Sequence, residues 1–420
     1  MAQRRQRILK QILAELDQGT MLSDEELQER LTELVAQMCA TDRQEGRSYL
    51  SVGQRGNLVR QIFNSLRRLD VLQDLLDEPG VTEIMVNGPD DVFVERAGRL
   101  SRAELSFDSC SKLEEIIQRM VSRVNRVVNE ASPILDFRLE DGSRANVVLP
   151  PVSLCGGPVL TIRRFPDNPL TMEKLLEIGS ISEEAVQFLK LAVQARYNIF
   201  ISGGTGSGKT TFLNALSQYI PSEERVITIE DSAELQLRDI PNLVRLEVRN
   251  ANLEGKNGIS IADLVKSALR MRPDRIIVGE IRDRAVIEML NAMNTGHDGS
   301  LSTGHANSTQ DMLRRMETMY LSGMDIPLPA VRGQIASAVD LVIQLGRLRD
   351  HSRRVLAVDE LVGMEHGEIV TSSLFRFEET GTDSEGRVRG SLRRMRETLV
   401  HPEKMQAAGL EWRGGENHEA

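Results

Sequence analysis

One stretch of the sequence has the residue types and the spacing for holding a polyphosphate. The segment IFISGGTGSGKTTFLNAL carries Gly203, then four residues, then a Gly-Lys-Thr triplet that ends at Thr210. A strand-like run precedes it and a helix-like run follows it, which is the context that a phosphate-binding loop requires. Glycines let backbone N–H groups converge on phosphate oxygens, and the helix N-terminus adds a positive dipole. We therefore predict an ATP or GTP site made by Gly203, Gly204, Thr205, Gly206, Ser207, Gly208, Lys209, Thr210 and Thr211.

Carboxylates follow two other strand-like runs. Glu280 ends the run in RPDRIIVGEIR, and Glu230 ends the run in RVITIED, with Asp231 and Glu234 close behind. In an open parallel sheet the ligand crevice lies at the carboxyl ends of the strands, so these side chains point toward the same phosphates. We expect Glu280 to polarise the attacking water and Glu230 to have a catalytic role. With Thr210, both are predicted to hold Mg²⁺, partly through water; Asp231 as a helix N-cap is an open alternative.

The segment TGHDGSLSTGHANS, residues 295–308, holds His297 and His305, two of the six histidines. A zinc site needs three or four converging ligands, and only these two are close in sequence, which argues against a metal here. The segment follows the strand that delivers Glu280 and one helix, AVIEMLNAM. We therefore expect it to form a loop beside the terminal phosphate.

The helix-like and strand-like runs around these residues predict an α/β protein with several domains. Residues 1–78 are predicted to form a helical region, and residues 79–165 a smaller α+β domain of short strands around one helix. The two prolines of PDNPL cannot continue a helix and predict a linker at residues 166–171. Residues 172–420 alternate strands and helices, which indicates a mostly parallel, covered sheet followed by a polar C-terminal tail.

Composition excludes several classes of function. No apolar run approaches the length of a membrane helix or of a signal core, so a cytoplasmic location is expected. The three cysteines lie far apart and support neither a disulfide framework nor a cysteine zinc site. A formal net charge of −10 and 4% aromatic residues argue against a surface that binds nucleic acid directly.

Taken together, GGTGSGKTT, ITIEDSAEL, LRMRPDRIIVGEIR and MNTGHDGSLSTGHANS resemble the type II and type IV secretion ATPase superfamily in order and spacing. In that family these segments are the Walker A loop, the Asp box, the Walker B strand and the His box. Upstream, VTEIMVNGPDDVFVERAGRL and SPILDFRLEDGSRANVVLPPVSLCGGPVLTIRRF look like the N-terminal domain of the tight-adherence pilus (CpaF-like) branch. The resemblance covers about Leu58 to Phe377.

This resemblance implies a RecA-like phosphate-loop ATPase domain after a PAS-like α+β domain. It implies that His305 contacts the γ-phosphate or the catalytic glutamate, and that His297 supports the fold of its loop. A phosphoryl-transfer site also needs cations on its open side. The resemblance favours Arg144, Arg163 and Arg164 of the smaller domain for this role. The catalytic candidates are thus Lys209, Glu280, Glu230, His305, Arg163, Arg164 and Arg144.

The function that the resemblance implies is that of a hexameric cytoplasmic ATPase using ATP and Mg²⁺. Hydrolysis would rotate domains and power assembly of a tight-adherence or type IV-like pilus, or secretion, through an inner-membrane platform protein; retraction is left open. Alternatives are a nucleic-acid translocase, a DNA- or protein-exporting type IV relative, and a nucleotide-gated scaffold without hydrolysis. The family commonly has Gly-x-Glu-Ala after GEIR, whereas this chain has residues 283–286 as DRAV. A role for that glutamate is therefore in doubt here.

Overall fold

The structure is a computed structural model that describes residues 2–17, 22–44, 50–96, 98–164, 169–249 and 257–412. The chain folds into two compact units, residues 1–167 and 168–420. The predicted linker at 166–171 lies partly outside the described residues, as does the end of the predicted polar tail. The predicted domain boundaries at residues 78 and 165 remain predictions.

The first unit begins with four helices. They are α1 (Ala2–Asp17), α2 (Asp24–Gln44), α3 (Val52–Arg67) and α4 (Val71–Leu76). Ser23 and Glu26 form a capping box at the start of α2, each side chain accepting a hydrogen bond from the other's backbone N–H. Leu27 and Leu31 of α2 are buried against apolar residues of α1 and α3. These three helices therefore share a small apolar core.

An antiparallel sheet and one further helix complete the first unit. The elements are β1 (Val81–Asn87), β2 (Val92–Arg96), β3 (Arg99–Arg102), α5 (Cys110–Arg123), β4 (Ile134–Arg138), β5 (Arg144–Val148) and β6 (Val159–Arg163). Their order in the sheet is β3-β2-β1-β6-β5-β4. Apolar residues of α5 pack on alternate sheet positions such as Ile84 and Leu160. Because side chains alternate along a strand, Arg144 and Arg163 lie on the opposite face.

The second unit is built on a nine-stranded sheet. Its strands are β7 (Ile199–Gly203), β8 (Val226–Glu230), β9 (Leu243–Glu247), β10 (Arg275–Val278), β11 (Leu301–Gly304), β12 (Leu341–Arg347), β13 (Arg353–Glu365), β14 (Glu368–Thr382) and β15 (Val388–Arg394). The order is β15-β14-β13-β12-β7-β11-β10-β8-β9. The six strands from β12 to β9 in this order are parallel, and β13 to β15 add an antiparallel extension.

Helices cover both faces of the parallel strands. They are α6 (Met172–Glu177), α7 (Glu183–Gln194), α8 (Lys209–Ser217), α9 (Ile261–Ala268), α10 (Ala285–Asn294), α11 (Thr309–Leu321), α12 (Leu328–Ala338) and, near the C-terminus, α13 (Glu403–Ala407). One core contains residues of α6 to α8, and a second contains residues of α9 to α12. The predicted α/β class with a covered, mostly parallel sheet is thus confirmed. Every helix in the described part of the chain is too short or too polar to cross a membrane.

Two parts of the sheet differ from the sequence expectations. Residues 295–308 do not form one loop, because their centre is the strand β11, which pairs with β7. The segment RVLAVDEL lies in β13, which is antiparallel to β12 rather than part of the parallel set. It turns back through His366 and Gly367, which have φ of +52° and +83°, as a two-residue hairpin requires. The chain beyond Glu378 then continues β14 and forms β15.

A buried ion pair lies at the opposite edge of the sheet from the strand carboxyl ends. Arg275, the first residue of β10, is fully buried, and its guanidinium donates to both carboxylate oxygens of Glu224. Arg196 also contacts Glu224, at 3.0 Å. A buried charge is costly unless it is paired, so Glu224 is needed to keep Arg275 inside the fold.

We expect Glu224→Gln to lower the free energy of unfolding by about 3–5 kcal/mol, because it leaves the Arg275 charge buried and uncompensated. The only tryptophan, Trp412, packs 4.6 Å from the ring of Phe188 in this unit, so its fluorescence during urea unfolding measures the loss. Glu177→Gln breaks an exposed ion pair with Lys174 and should cost less than about 1 kcal/mol. Equal effects of the two variants would contradict the assignment.

Candidate active site

The predicted phosphate loop joins β7 to α8, as the sequence pattern requires. Gly206 and Gly208 have φ of +71° and +93°, which residues with side chains rarely adopt. Gly208 is the residue immediately before α8. The backbone N–H groups at the start of α8 are free of intrahelical partners, as at every helix N-terminus, and can bind an anion.

Close packing explains why the first residue of the loop, Gly203, has no side chain. A Cβ atom on Gly203 would lie 2.5 Å from Oγ of Ser207 and 2.8 Å from the backbone oxygen of Leu345. Thr210 and Thr211 stand in the first turn of α8 and are half-buried. The nine residues predicted to bind phosphate thus run from the last residue of β7 through the loop into the first turn of α8.

Lys209 is buried and contacts its own loop. Its Nζ donates to the backbone oxygens of Gly203 and Gly204, at 3.0 and 3.1 Å. It also lies 3.4 Å from Nδ1 of His305. Burial lowers the pKa of the Lys209 ammonium group, and the nearby Glu280 carboxylate partly opposes this shift.

His305 connects the lysine to Glu280. Nε2 of His305 lies 2.8 Å from Oε1 of Glu280. The geometry is not that of an aligned hydrogen bond, because this oxygen has no hydrogen-bond donor among the described residues. The other carboxylate oxygen accepts a hydrogen bond of 2.9 Å from Arg282. His305 therefore lies in close contact with Glu280, the glutamate predicted to be catalytic.

The charges around His305 favour its neutral form. Burial and the Lys209 charge lower the pKa of the His305 imidazole, and Glu280 opposes them. Because an ammonium group can only donate, Nδ1 of His305 accepts from Lys209 and the proton resides on Nε2, facing Glu280. A neutral imidazole thus lies between a cation and an anion at the edge of the sheet.

Glu230 lies at the carboxyl end of β8 with only 2% of its surface exposed. Its Oε2 accepts hydrogen bonds from the backbone N–H groups of Glu234 and Leu235, at 2.5 and 2.8 Å. Burial raises the pKa of the Glu230 carboxyl, and these two hydrogen bonds oppose the shift. Its Oε1 is buried with no hydrogen-bond partner in the described part of the chain. Asp231 is exposed and, since no helix follows β8 directly, does not cap one.

His297 lies away from this group. It precedes β11, whereas His305 follows it, so the two histidines lie at opposite edges of the sheet. The backbone oxygen of His297 accepts a hydrogen bond of 2.8 Å from Ser300. The expectation that residues 295–308 form one loop beside the terminal phosphate is therefore wrong. Only the segment after Gly304 reaches the site, because β11 carries the chain from the amino ends to the carboxyl ends of the parallel strands.

The candidate arginines belong to the first unit. Arg144 and Arg163 are direct neighbours on β5 and β6, and Arg138 of β4 pairs with Arg144. Arg163 is exposed. Nη1 of Arg164 instead donates to the backbone oxygens of Glu78 and Val81. This contact supports a structural role for Arg164 at the start of β1 rather than the predicted catalytic one.

Three residues that contact or neighbour the candidate site residues were not predicted from the sequence. Arg138 could have been found by aligning the neighbouring strands LDFR and RANVV, since antiparallel register places it opposite Arg144. Arg282 could have been found two residues after Glu280, where it donates to that carboxylate. Gln344 of β12 donates to the backbone oxygen of Ala306 at 3.3 Å, next to His305. No local pattern in LVIQLGR indicates that role.

Comparison with known proteins decides the family. The family described as "Type II/IV secretion system protein" matches residues 66–413. This chain belongs to that family. The chain is accordingly a nucleotide-binding ATP hydrolase of the type II/IV secretion family.

Individual relatives agree with this placement. A putative conjugal transfer protein of Mycobacterium tuberculosis is 35% identical over 307 residues, 71% of this chain and 86% of that protein. The type IV secretion system protein VirB11 of Brucella suis is 32% identical over 306 residues, 66% of this chain and 84% of that protein. The X-ray structure of the Legionella pneumophila ATPase DotB has a TM-score of 0.51 at 21% identity, covering 72% of this chain and 81% of that one. The RecA-like fold expected for the second unit is confirmed.

One position departs from the usual pattern of this secretion ATPase family. Where the family commonly has a glutamate after GEIR, this chain has Ala285. Ala285 is buried at the start of α10, and its backbone N–H donates to Asp283 at 2.9 Å. Position 285 therefore carries no carboxylate in this chain.

The titration of His305 tests the charge arrangement. We expect its imidazole to titrate below its ordinary value of about 6.5, because burial and Lys209 both disfavour the protonated form. Lys209→Ala removes the positive charge and should raise the midpoint, whereas Glu280→Gln removes the negative charge and should lower it further. NMR titration of the imidazole measures all three. A midpoint above 6.5 in the unchanged protein, or shifts of opposite sign, would contradict the arrangement.

Proposed function

We propose that this chain hydrolyses ATP at the junction of β7 and α8 to drive a pilus or secretion machine. The observation that carries the proposal is the contact series Lys209–His305–Glu280, which lies at the end of the phosphate loop. Lys209 would exchange its loop carbonyls for β- and γ-phosphate oxygens. Glu280 would accept a hydrogen bond from the attacking water, and His305 would report whether the terminal phosphate is present.

The donor set of the site fits Mg²⁺. The unpartnered, buried Oε1 of Glu230, the carboxylate of Glu280 and the hydroxyl of Thr210 are the hard oxygen donors that this ion prefers. Bound there with ATP, Mg²⁺ would neutralise charge on the phosphates. Oε2 of Glu230 already accepts hydrogen bonds from the backbone of Glu234 and Leu235, so Oε1 is the oxygen of this carboxylate that would be available as a ligand.

The second part of the proposal concerns assembly. We propose a homo-hexamer in which Arg163 and Arg144 of one subunit complete the site of another. Their side-by-side placement on the sheet face away from α5 suits recognition of phosphate oxygens, because guanidinium groups bind such oxygens in a bidentate way. Loss of the terminal phosphate would then rotate one unit against the other. Arg164 is the weakest candidate, since its guanidinium already holds backbone oxygens.

The third part concerns the machine that is driven. The upstream motifs favour assembly of a tight-adherence pilus, with the protein on the cytoplasmic face of the inner membrane and held there by a platform protein. A second candidate is secretion or conjugation, favoured by relatives that are named conjugal transfer protein and type IV secretion system protein. In the source bacterium, deletion of the gene should abolish surface pili under the first candidate. Normal pili with lost protein or DNA export would support the second.

The catalytic roles predict separate effects of two substitutions. Glu280→Gln should retain ATP binding and reduce the hydrolysis rate at least about a hundredfold, because it removes the group that positions water. Lys209→Ala should lose both binding and hydrolysis. Phosphate release and equilibrium binding of a fluorescent ATP analogue measure the two properties. Near-normal turnover in either variant would refute the assigned site.

Mixing subunits tests the placement of Arg163. Glu280→Gln and Arg163→Ala are each expected to be inactive alone. If Arg163 acts on a neighbouring subunit, mixed oligomers contain some sites with both Glu280 and Arg163, and ATPase activity should partly return. Thr82→Ala, an exposed change on the neighbouring strand β1, should be active on its own and serves as the control. Mixtures that stay as inactive as their components would exclude action between subunits.

A further inference from the structure

Arg353, at the start of β13, lies against the phosphate loop although it is 147 residues away from Gly206 in sequence. Its Nε donates a hydrogen bond of 2.8 Å to the backbone oxygen of Gly206. Its Cδ would lie 3.4 Å from a Cβ atom on Gly208, so the side-chain stem follows the loop closely. The two glycines that it contacts are the two with positive φ in this loop.

The backbone of Arg353 is fixed from the other side. Oγ of Ser180 donates to the backbone oxygen of Arg353 at 2.7 Å, and the N–H of Val355 donates to the backbone oxygen of Ser180 at 2.8 Å. Arg354 differs from its neighbour, because its guanidinium donates to the backbone oxygen of Gly179 at 2.7 Å and lies over the ring of Phe377. Arg353 is therefore the arginine of this pair that is held toward the nucleotide loop.

The contact controls the orientation of a peptide group in the loop. In a trans peptide the C=O and the following N–H point in opposite directions. A donor on the Gly206 oxygen therefore fixes the direction of the following Ser207 N–H, which donates within the loop to the backbone oxygen of Gly204 at 3.3 Å. Phosphate recognition by backbone N–H groups depends on their convergence, and glycines allow many competing orientations. An external cation on one carbonyl reduces that freedom.

We propose that Arg353 is a positioning residue that holds the phosphate loop in its binding conformation. It acts from the same chain and on the outside of the loop, so it contributes to binding of the phosphate chain rather than to the chemical step. Its terminal amino groups have no protein partner among the described residues, so its only hydrogen-bond acceptor there is the loop. The inference rests on the proposed nucleotide site.

The test compares Arg353→Gln with Arg349→Gln. Arg349 lies in the turn between β12 and β13 and is paired with Glu379, away from the loop. We expect Arg353→Gln to raise the KM for ATP and the Kd for ADP and for tripolyphosphate about tenfold, the effect of losing one hydrogen bond from a charged donor. The kcat should stay within about twofold, since no reacting group changes. Arg349→Gln should leave all four values unchanged.

Several results would overturn this role. Equal dissociation constants in the two variants would show that the contact does not order the loop. A fall in kcat alone would indicate a catalytic role, and weaker ADP binding with unchanged tripolyphosphate binding would indicate contact with the nucleoside. If Arg353→Gln unfolds, judged by Trp412 fluorescence, Arg353→Lys serves as the test. It keeps the charge without the planar fork and should raise the Kd for tripolyphosphate about threefold. An unchanged Kd would again overturn the inference, whereas failure of the unchanged protein to bind ATP would refute the site itself.

Discussion

A buried cation organises the catalytic edge of the second unit. The ammonium group of Lys209 is removed from water and compensated by carbonyl oxygens of its own loop, by the imidazole of His305 and, at longer range, by Glu280. Such a charge is tolerated only where enough acceptors converge. The convergence requires β7, β10 and β11 to end side by side in parallel, so the register of the sheet and the charge balance of the site depend on each other.

The parallel strands supply different chemical groups to one edge. β7 leads into the phosphate loop, β8 ends in Glu230, β10 leads to Glu280, and β11 leads to His305. Next to them, β12 contributes Gln344, which holds the backbone just after His305. The antiparallel extension begins at β13 and places Arg353 on the outside of the loop. Strands that carry no catalytic group thus determine the position of those that do.

Much of this arrangement was predictable because it follows from local pattern. The glycine spacing with flanking apolar runs predicted the phosphate loop, and a carboxylate at the end of a buried strand predicted Glu280. Other features depend on contacts that are distant in sequence and have no local signal. The strand β11 is only four residues long and lies among glycines and hydroxyl residues, so it resembled a loop. Arg353 could not be distinguished from the many other arginines, since only the fold brings it to Gly206.

The position of β11 gives a simple meaning to the eight-residue interval between His297 and His305. Within this interval the four residues of β11 carry the chain in extended form from the amino ends to the carboxyl ends of the parallel strands, so the two histidines are separated by the length of a strand. Adding one residue inside the strand would exchange its two faces, since side chains alternate. Ser302, which donates to the backbone of β10, would then turn toward the other apolar core, and Leu301 would replace it. An added residue would therefore disturb the sheet less in the segments outside the strand than within it.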